Sequence, residues 1–142
     1  VVTKNIKTLD HEICEAKGRV EFKDLPCVMG NETQIEQLFA NLIFNSLKYR
    51  KNNTPSRIVI KHHKTSGKLL NISIKDNGIG FDNSYADKIF DPFQRLDGDI
   101  SKRGSGLGLS ICKKIMLAHR GDILAEGKIG NGATFILTFS IS

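Results

Sequence analysis

Asp76 closes a run of alternating apolar residues and is followed at once by glycines, in the stretch DNGIGF from Asp76 to Phe81. Glycine tolerates positive φ and lets the backbone lie close to another molecule, so Gly78 and Gly80 suit either a tight turn or a ligand wall. The same hexamer also reads as a hairpin signal, Asp-Asn-Gly after alternating residues. A second set lies in NLIFNSLKY, Asn41 to Tyr49. At helical spacing Gln34, Gln37, Asn41, Asn45 and Lys48 share one side, while Ile35, Leu38, Phe39, Leu42 and Ile43 make an apolar stripe. Amides dominate a face where a solvated helix usually carries Glu and Lys, which points to a buried or ligand-facing surface. An amide oxygen suits Mg²⁺, a cation that takes oxygen donors and keeps waters and phosphates around it. Lys48, one turn on, suits a phosphate. A third set is GSGLGLS, Gly104 to Ser110, where glycines ahead of a helix expose its first N–H groups to an anion. It has no Gly-Lys-Ser/Thr ending and lacks the third glycine of a dinucleotide fingerprint, so it is neither a Walker loop nor a Rossmann turn.

These residues need elements to position them. Ile6, Leu9, Ile13 and Ala16 recur at helical spacing and stop at Gly18, which predicts a first helix over 5–17. Extended pieces follow at 19–22 and 27–29, separated by Pro26. Asn31 is placed to cap a long helix running to about Arg50. Segments 57–64 and 69–75 alternate as a hairpin around Ser66 and Gly67. The stretch from Asp76 to Ser105 has little periodicity beyond a helical turn near Ala86 to Ile89 and reads as a long functional loop. A third helix is expected from Gly106 to His119. Strands at 122–126 and 133–141 end the chain, and in the last Phe135, Leu137, Phe139 and Ile141 share one face. This order predicts an α/β fold, a two-layer sandwich with a mixed sheet of about five strands covered on one face by three helices.

Bulk properties narrow the partners. The chain of 142 residues is 39% hydrophobic and 25% charged, which suits one soluble globular domain. No apolar run is long enough for a membrane span and no signal pattern opens the chain, so a cytoplasmic domain is expected, from a parent either soluble or membrane-bound. Cys14, Cys27 and Cys112 are odd in number and far apart, which fits neither a zinc cluster nor a disulfide framework. The net charge of +6 comes from scattered Lys and Arg without interleaved aromatics, which argues against nucleic acid. A small anionic ligand or an acidic protein fits better. His62 and His63 are strand neighbours on opposite faces and make no metal pair. His119 ends the third helix, where a cation is favoured by the dipole.

Taken together, NLIFNSLKY, DNGIGF, IFDPFQRL and GSGLGLSIC occur in the order and spacing of the Asn box, first glycine box, Phe box and second glycine box of sensor histidine kinases. GNGATF, Gly130 to Phe135, resembles the last glycine element. The chain is thus similar to the catalytic and ATP-binding domain of that family, whose superfamily shares the Bergerat ATP-binding fold with DNA gyrase and mismatch-repair ATPases. The wording is nearest to phytochrome-like and sensory-box kinases. The resemblance implies Mg·ATP as ligand, with Asp76 accepting a hydrogen bond from the adenine amino group and Thr134 assisting it through water. Gly78 and Gly80 would let the ring and sugar approach. Asn45 would hold Mg²⁺ and, with Lys48, serve the catalytic step; Asn41 and Tyr49 would also line the nucleotide. Phe90 and Phe93 would pack the base of a flexible lid over 94–105. Lys102 and Arg103 would meet the γ-phosphate, and Gly104, Ser105, Gly106, Leu107, Gly108 and Leu109 would hinge the lid and cradle phosphate.

The acceptor histidine of such kinases sits on a helical-hairpin dimerisation domain. His11 in DHEIC lacks the family's continuation and leaves no room for that hairpin before Asn45, so residues 1–142 are expected to be the catalytic domain alone. It would then be a monomer, passing phosphate to the hairpin domain and through it to a response regulator. Hydrolysing relatives carry a glutamate where Asn41 stands, which favours transfer to histidine. The alternatives are an anti-sigma-type serine kinase and a degenerate nucleotide-binding regulatory module. AHRGD departs from the family's His-Gly-Gly at Arg120, and Asn31 stands where an acid is common.

Overall fold

A computed structural model of the chain describes residues 18–22, 30–66, 69–91 and 108–140. The first helix expected over 5–17, the extended piece at 27–29, and the stretch 92–107 lie outside the described residues. Within them, five strands form one sheet: β1 (Arg19–Phe22), β2 (Arg57–Ser66), β3 (Leu69–Asp76), β4 (Asp122–Gly127) and β5 (Ala133–Ser140), in the order β1-β2-β3-β5-β4. β1 runs parallel to β2 and every other pair is antiparallel, so the sheet is mixed as expected. Two α-helices, α1 (Glu32–Lys48) and α2 (Gly108–Ala118), account for the second and third of the three expected.

The alternation of each strand decides which face is covered. Ile58 and Ile60 of β2, Leu70, Ile72 and Ile74 of β3, Ile123 of β4, and Phe135, Leu137 and Phe139 of β5 are all buried. They meet Ile35, Leu38, Phe39, Leu42, Ile43 and Leu47 of α1 and Ile115 and Met116 of α2 in one core. Asp76 follows Ile74 on this inner side and is itself buried. Residues one step out of phase, such as Lys75, Thr134 and Glu126, form a row across the opposite face. On that face Glu21 is held between Arg19 and Arg57, both at 3.0 Å.

Helix ends are set by local chemistry. Asn31 caps α1, its side chain accepting from the Gln34 N–H. The same residue's N–H donates to Nε2 of His119 just beyond α2, while Nδ1 of His119 lies 2.8 Å from the Ile115 carbonyl. The Asn31 N–H makes Nε2 the acceptor, and Nδ1 faces the Ile115 carbonyl. The imidazole is a clasp between the two helices. Past α2, Arg120 adopts φ 59° while Gly121 N–H reaches the Met116 carbonyl at 2.8 Å, a Schellman closure with arginine in the place glycine favours. No helix among the described residues is long and apolar enough to cross a membrane.

Candidate nucleotide site

The inner face of β3 carries its last residue, Asp76, to the end of the sheet beside α1. Gly78 N–H donates to Asp76 Oδ1 at 2.9 Å and Ala133 N–H donates to the same oxygen at 3.1 Å. Both bonds fall on Oδ1, so Oδ2 is the oxygen left to meet a ligand. Burial pushes the carboxyl above the usual range, opposed in turn by the Gly78 N–H, the Ser46 hydroxyl and the Ala133 N–H. Ser46 Oγ is itself shielded and makes no well-formed hydrogen bond, though it lies against the carboxyl.

The glycines have a backbone reason that the sequence reading did not anticipate. A Cβ on Gly78 would stand 2.5 Å from the Tyr49 carbonyl oxygen. On Gly80, at φ 69°, it would stand 2.1 Å from the Lys128 carbonyl, and on Gly132, at φ 87°, 2.0 Å from that of Asp76. Three chain segments therefore cross backbone to backbone: the end of α1, the loop after β3 and the β4–β5 turn. Ile79 N–H to Tyr49 O at 3.0 Å, Gly130 N–H to Ile79 O at 2.8 Å and Lys128 N–H to Gly132 O at 3.2 Å tie them together. Gly108 differs, since a Cβ there would meet nothing within 4 Å. Asn77, between Asp76 and Gly78, turns away and bridges Arg57 N–H and the Pro55 carbonyl, fixing the entry to β2.

On α1, Gln34 and Gln37 are exposed, whereas Asn41, Asn45 and Lys48 are half-buried. The amide face thus sinks toward the end of the helix that meets Asp76. Asn41 Nδ2 lies 3.4 Å from the Gly108 carbonyl, joining the amide face to the first residue of α2. Lys48 Nζ sits 5.0 Å from the centre of the Tyr49 ring. Behind this junction Cys112 is buried, with its thiol pushed up to about 12 by burial, and its Sγ lies 3.8 Å from the Leu38 carbonyl. It is a core residue. Phe90 packs edge-on to Phe135 with centroids 6.3 Å apart, and Leu109 packs partly buried on the core.

Thr134 is not brought to Asp76. Its neighbours Ala133 and Phe135 are buried on the inner face, so the alternation of β5 turns Thr134 to the outer face, opposite Lys75 and Glu126. Ala133 stands in the inward position and offers only its N–H. Phe93, Lys102, Arg103, Gly104, Ser105, Gly106 and Leu107 lie outside the described residues. Ser46 and Ala133 escaped the sequence reading, although the period of β5 already set Ala133 inward.

No group of three or more His, Cys, Asp or Glu side chains among the described residues is placed to hold a metal. On the half-buried face of α1 the amides of Asn41 and Asn45 offer oxygen donors. A neutral amide with ligand phosphates completing the shell suits Mg²⁺ rather than a metal needing an all-protein cage.

Residues 30–142 match the family described as histidine kinase-, DNA gyrase B- and HSP90-like ATPase. The chain is 41% identical over 138 residues to cyanobacterial phytochrome A of Nostoc sp., covering 97% of this chain and 18% of that protein. It is 40% identical over 122 residues to the adaptive-response sensory kinase SasA of Synechocystis sp., covering 84% of this chain and 30% of that one. Among solved structures, the nucleotide-free catalytic domain of the histidine kinase ThkA superposes with a TM-score of 0.79 at 25% identity, covering 99% of this chain and 91% of that one.

Proposed function

Because the chain belongs to the histidine kinase-, DNA gyrase B- and HSP90-like ATPase family, we propose that it is the ATP-binding catalytic domain of a sensor histidine kinase, which binds Mg·ATP and presents the γ-phosphoryl group to a histidine on a separate dimerisation domain. Asp76 carries this assignment. A buried carboxyl with both backbone bonds on one oxygen keeps the other to accept from an exocyclic amino group, and the adenine ring supplies one. Its rigid backing by crossed backbones supports a preorganised base site, in which the geometry is fixed before the ligand arrives.

Asn45 would supply an amide oxygen to Mg²⁺, with Asn41 beside it, and Lys48 would meet phosphate. The bound cation would offset phosphate charge as the phosphoryl group transfers. Tyr49 and the α2 start at Gly108 and Leu109 would border the nucleoside and phosphates. Lys102 and Arg103 would add charge at the γ-phosphate, with Gly104, Ser105, Gly106 and Leu107 completing the phosphate cradle and Phe93 the base of the lid. The acceptor imidazole would come from the parent protein's hairpin domain, and a response regulator would take the phosphoryl group from there. Absence of an acid at Asn41 supports transfer to histidine over unassisted hydrolysis.

Calorimetric titration of ATP with and without Mg²⁺ tests the binding half. Asp76→Asn should weaken ATP by about 10- to 100-fold, the worth of one buried hydrogen bond to a charged group, and Asn45→Ala should remove the dependence on Mg²⁺. Phosphorylation of a supplied hairpin domain, with its histidine substituted as control, tests the transfer half. Tight ATP binding with no transfer would favour a regulatory nucleotide-binding module instead.

A further inference from the structure

Asp76 and Ser46 raise a question that the base-reading role leaves open. A carboxylate only accepts hydrogen bonds, whereas a protonated carboxyl also donates. The first selects a purine with a 6-amino group; the second also accommodates a 6-oxo group, which accepts. Asp76 is 6% exposed, and burial favours the protonated form. What holds it as an acceptor decides which purine the pocket takes.

The surroundings offer few candidates. No charged side chain among the described residues contributes to its proton balance. The charged residues of the flanking strands, Arg57 on β2 and Lys75 on β3, belong to the opposite face by alternation, and on α1 Lys48 lies over the Tyr49 ring. The Gly78 and Ala133 N–H groups both serve Oδ1. Thr134 is on the outer face. There remains Ser46, 1% exposed, with a shielded hydroxyl that has no well-formed partner and lies against this carboxyl, which it helps to hold ionised. A buried hydroxyl without a partner is costly, and the Asp76 carboxylate is the acceptor beside it.

We propose that Ser46 is a specificity-determining partner of Asp76: its hydroxyl donates to the carboxylate and keeps the pocket an acceptor, favouring 6-amino over 6-oxo purine nucleotides. The proposal rests on Asp76 reading the base. Ser46 acts through Asp76, so it is a positioning residue.

Binding of ATP and of inosine triphosphate, which carries a 6-oxo group, is measured for wild type, Ser46→Ala, Ser46→Thr and Asp76→Asn from about pH 5 to pH 8, the range over which folded proteins tend to be most stable. Wild type should prefer ATP throughout. In Ser46→Ala the ATP-to-inosine-triphosphate affinity ratio should fall by about tenfold at the acid end, the lower end of what one hydrogen bond to a charged group is worth, and recover as pH rises. Ser46→Thr, which keeps the hydroxyl, should restore the wild-type ratio. A Ser46→Ala ratio equal to wild type at every pH would overturn the proposal, as would equal losses for both nucleotides, which indicate packing alone. Asp76→Asn separates the two levels: loss of preference at all pH values upholds base reading, whereas an unchanged preference overturns base reading and the Ser46 role with it.

Discussion

Asp76 is held by two backbone N–H groups on a single oxygen, and this decides how its substitution behaves. Asparagine keeps that oxygen and both bonds, so Asp76→Asn should fold normally. Burial raises the native carboxyl, so the folded state binds its proton more tightly than the unfolded chain does. That contribution is fully present below the ordinary carboxylate range and is lost as pH rises through the raised value. Wild type should therefore lose stability relative to Asp76→Asn as pH rises across this window, read from urea midpoints at a series of acid pH values. The glycines divide in the same way. Gly132→Ala forces a Cβ into the Asp76 carbonyl and should cost about 1–3 kcal/mol, whereas Gly108→Ala enters open space at a helix start and should be neutral or stabilising by up to about 1 kcal/mol. Sequence alone marks all of them as glycine and cannot distinguish a crossing of backbones from a hinge, because the distinction lies between segments distant in the chain. Thr134 is a different failure: Phe135, Leu137 and Phe139 already assign β5 its inward phase, and that period was sufficient to place Ala133, not Thr134, at the carboxyl.

The apolar stripe of α1 and its Asn31 cap were legible because both follow from local spacing. The clasp between Asn31 and His119 was not, since it joins residues 88 apart. His119→Ala leaves the Asn31 N–H without its acceptor and should cost about 1 kcal/mol or more, seen as a lowered thermal midpoint and faster amide exchange at the start of α1. Arg120, in a left-handed conformation that costs a side chain about 1–2 kcal/mol, marks where this chain departs from the family's glycine. Arg120→Gly should raise stability by about 1 kcal/mol, measured by urea unfolding. Neither change touches the residues assigned to ATP, so nucleotide affinity should hold.

At the scale of the molecule, the strand pattern was enough to give a mixed five-stranded sheet with helices on one face, because alternation and turn residues are local signals that agree with one another. The order β1-β2-β3-β5-β4, which sets the final strand beside Asp76, was not legible, since it depends on which distant strands pair. Residues 1–142 prepared on their own should be a monomer by light scattering, and phosphorylation of a supplied hairpin domain should rise with the concentration of either component. The bond from Ala133 to Asp76 spans 57 residues. Closing it requires β3 and β5 to be brought together across that span, so the pocket should assemble late in folding. A ligand of that pocket should then slow unfolding while leaving the refolding rate unchanged, read from stopped-flow denaturant jumps with and without ATP.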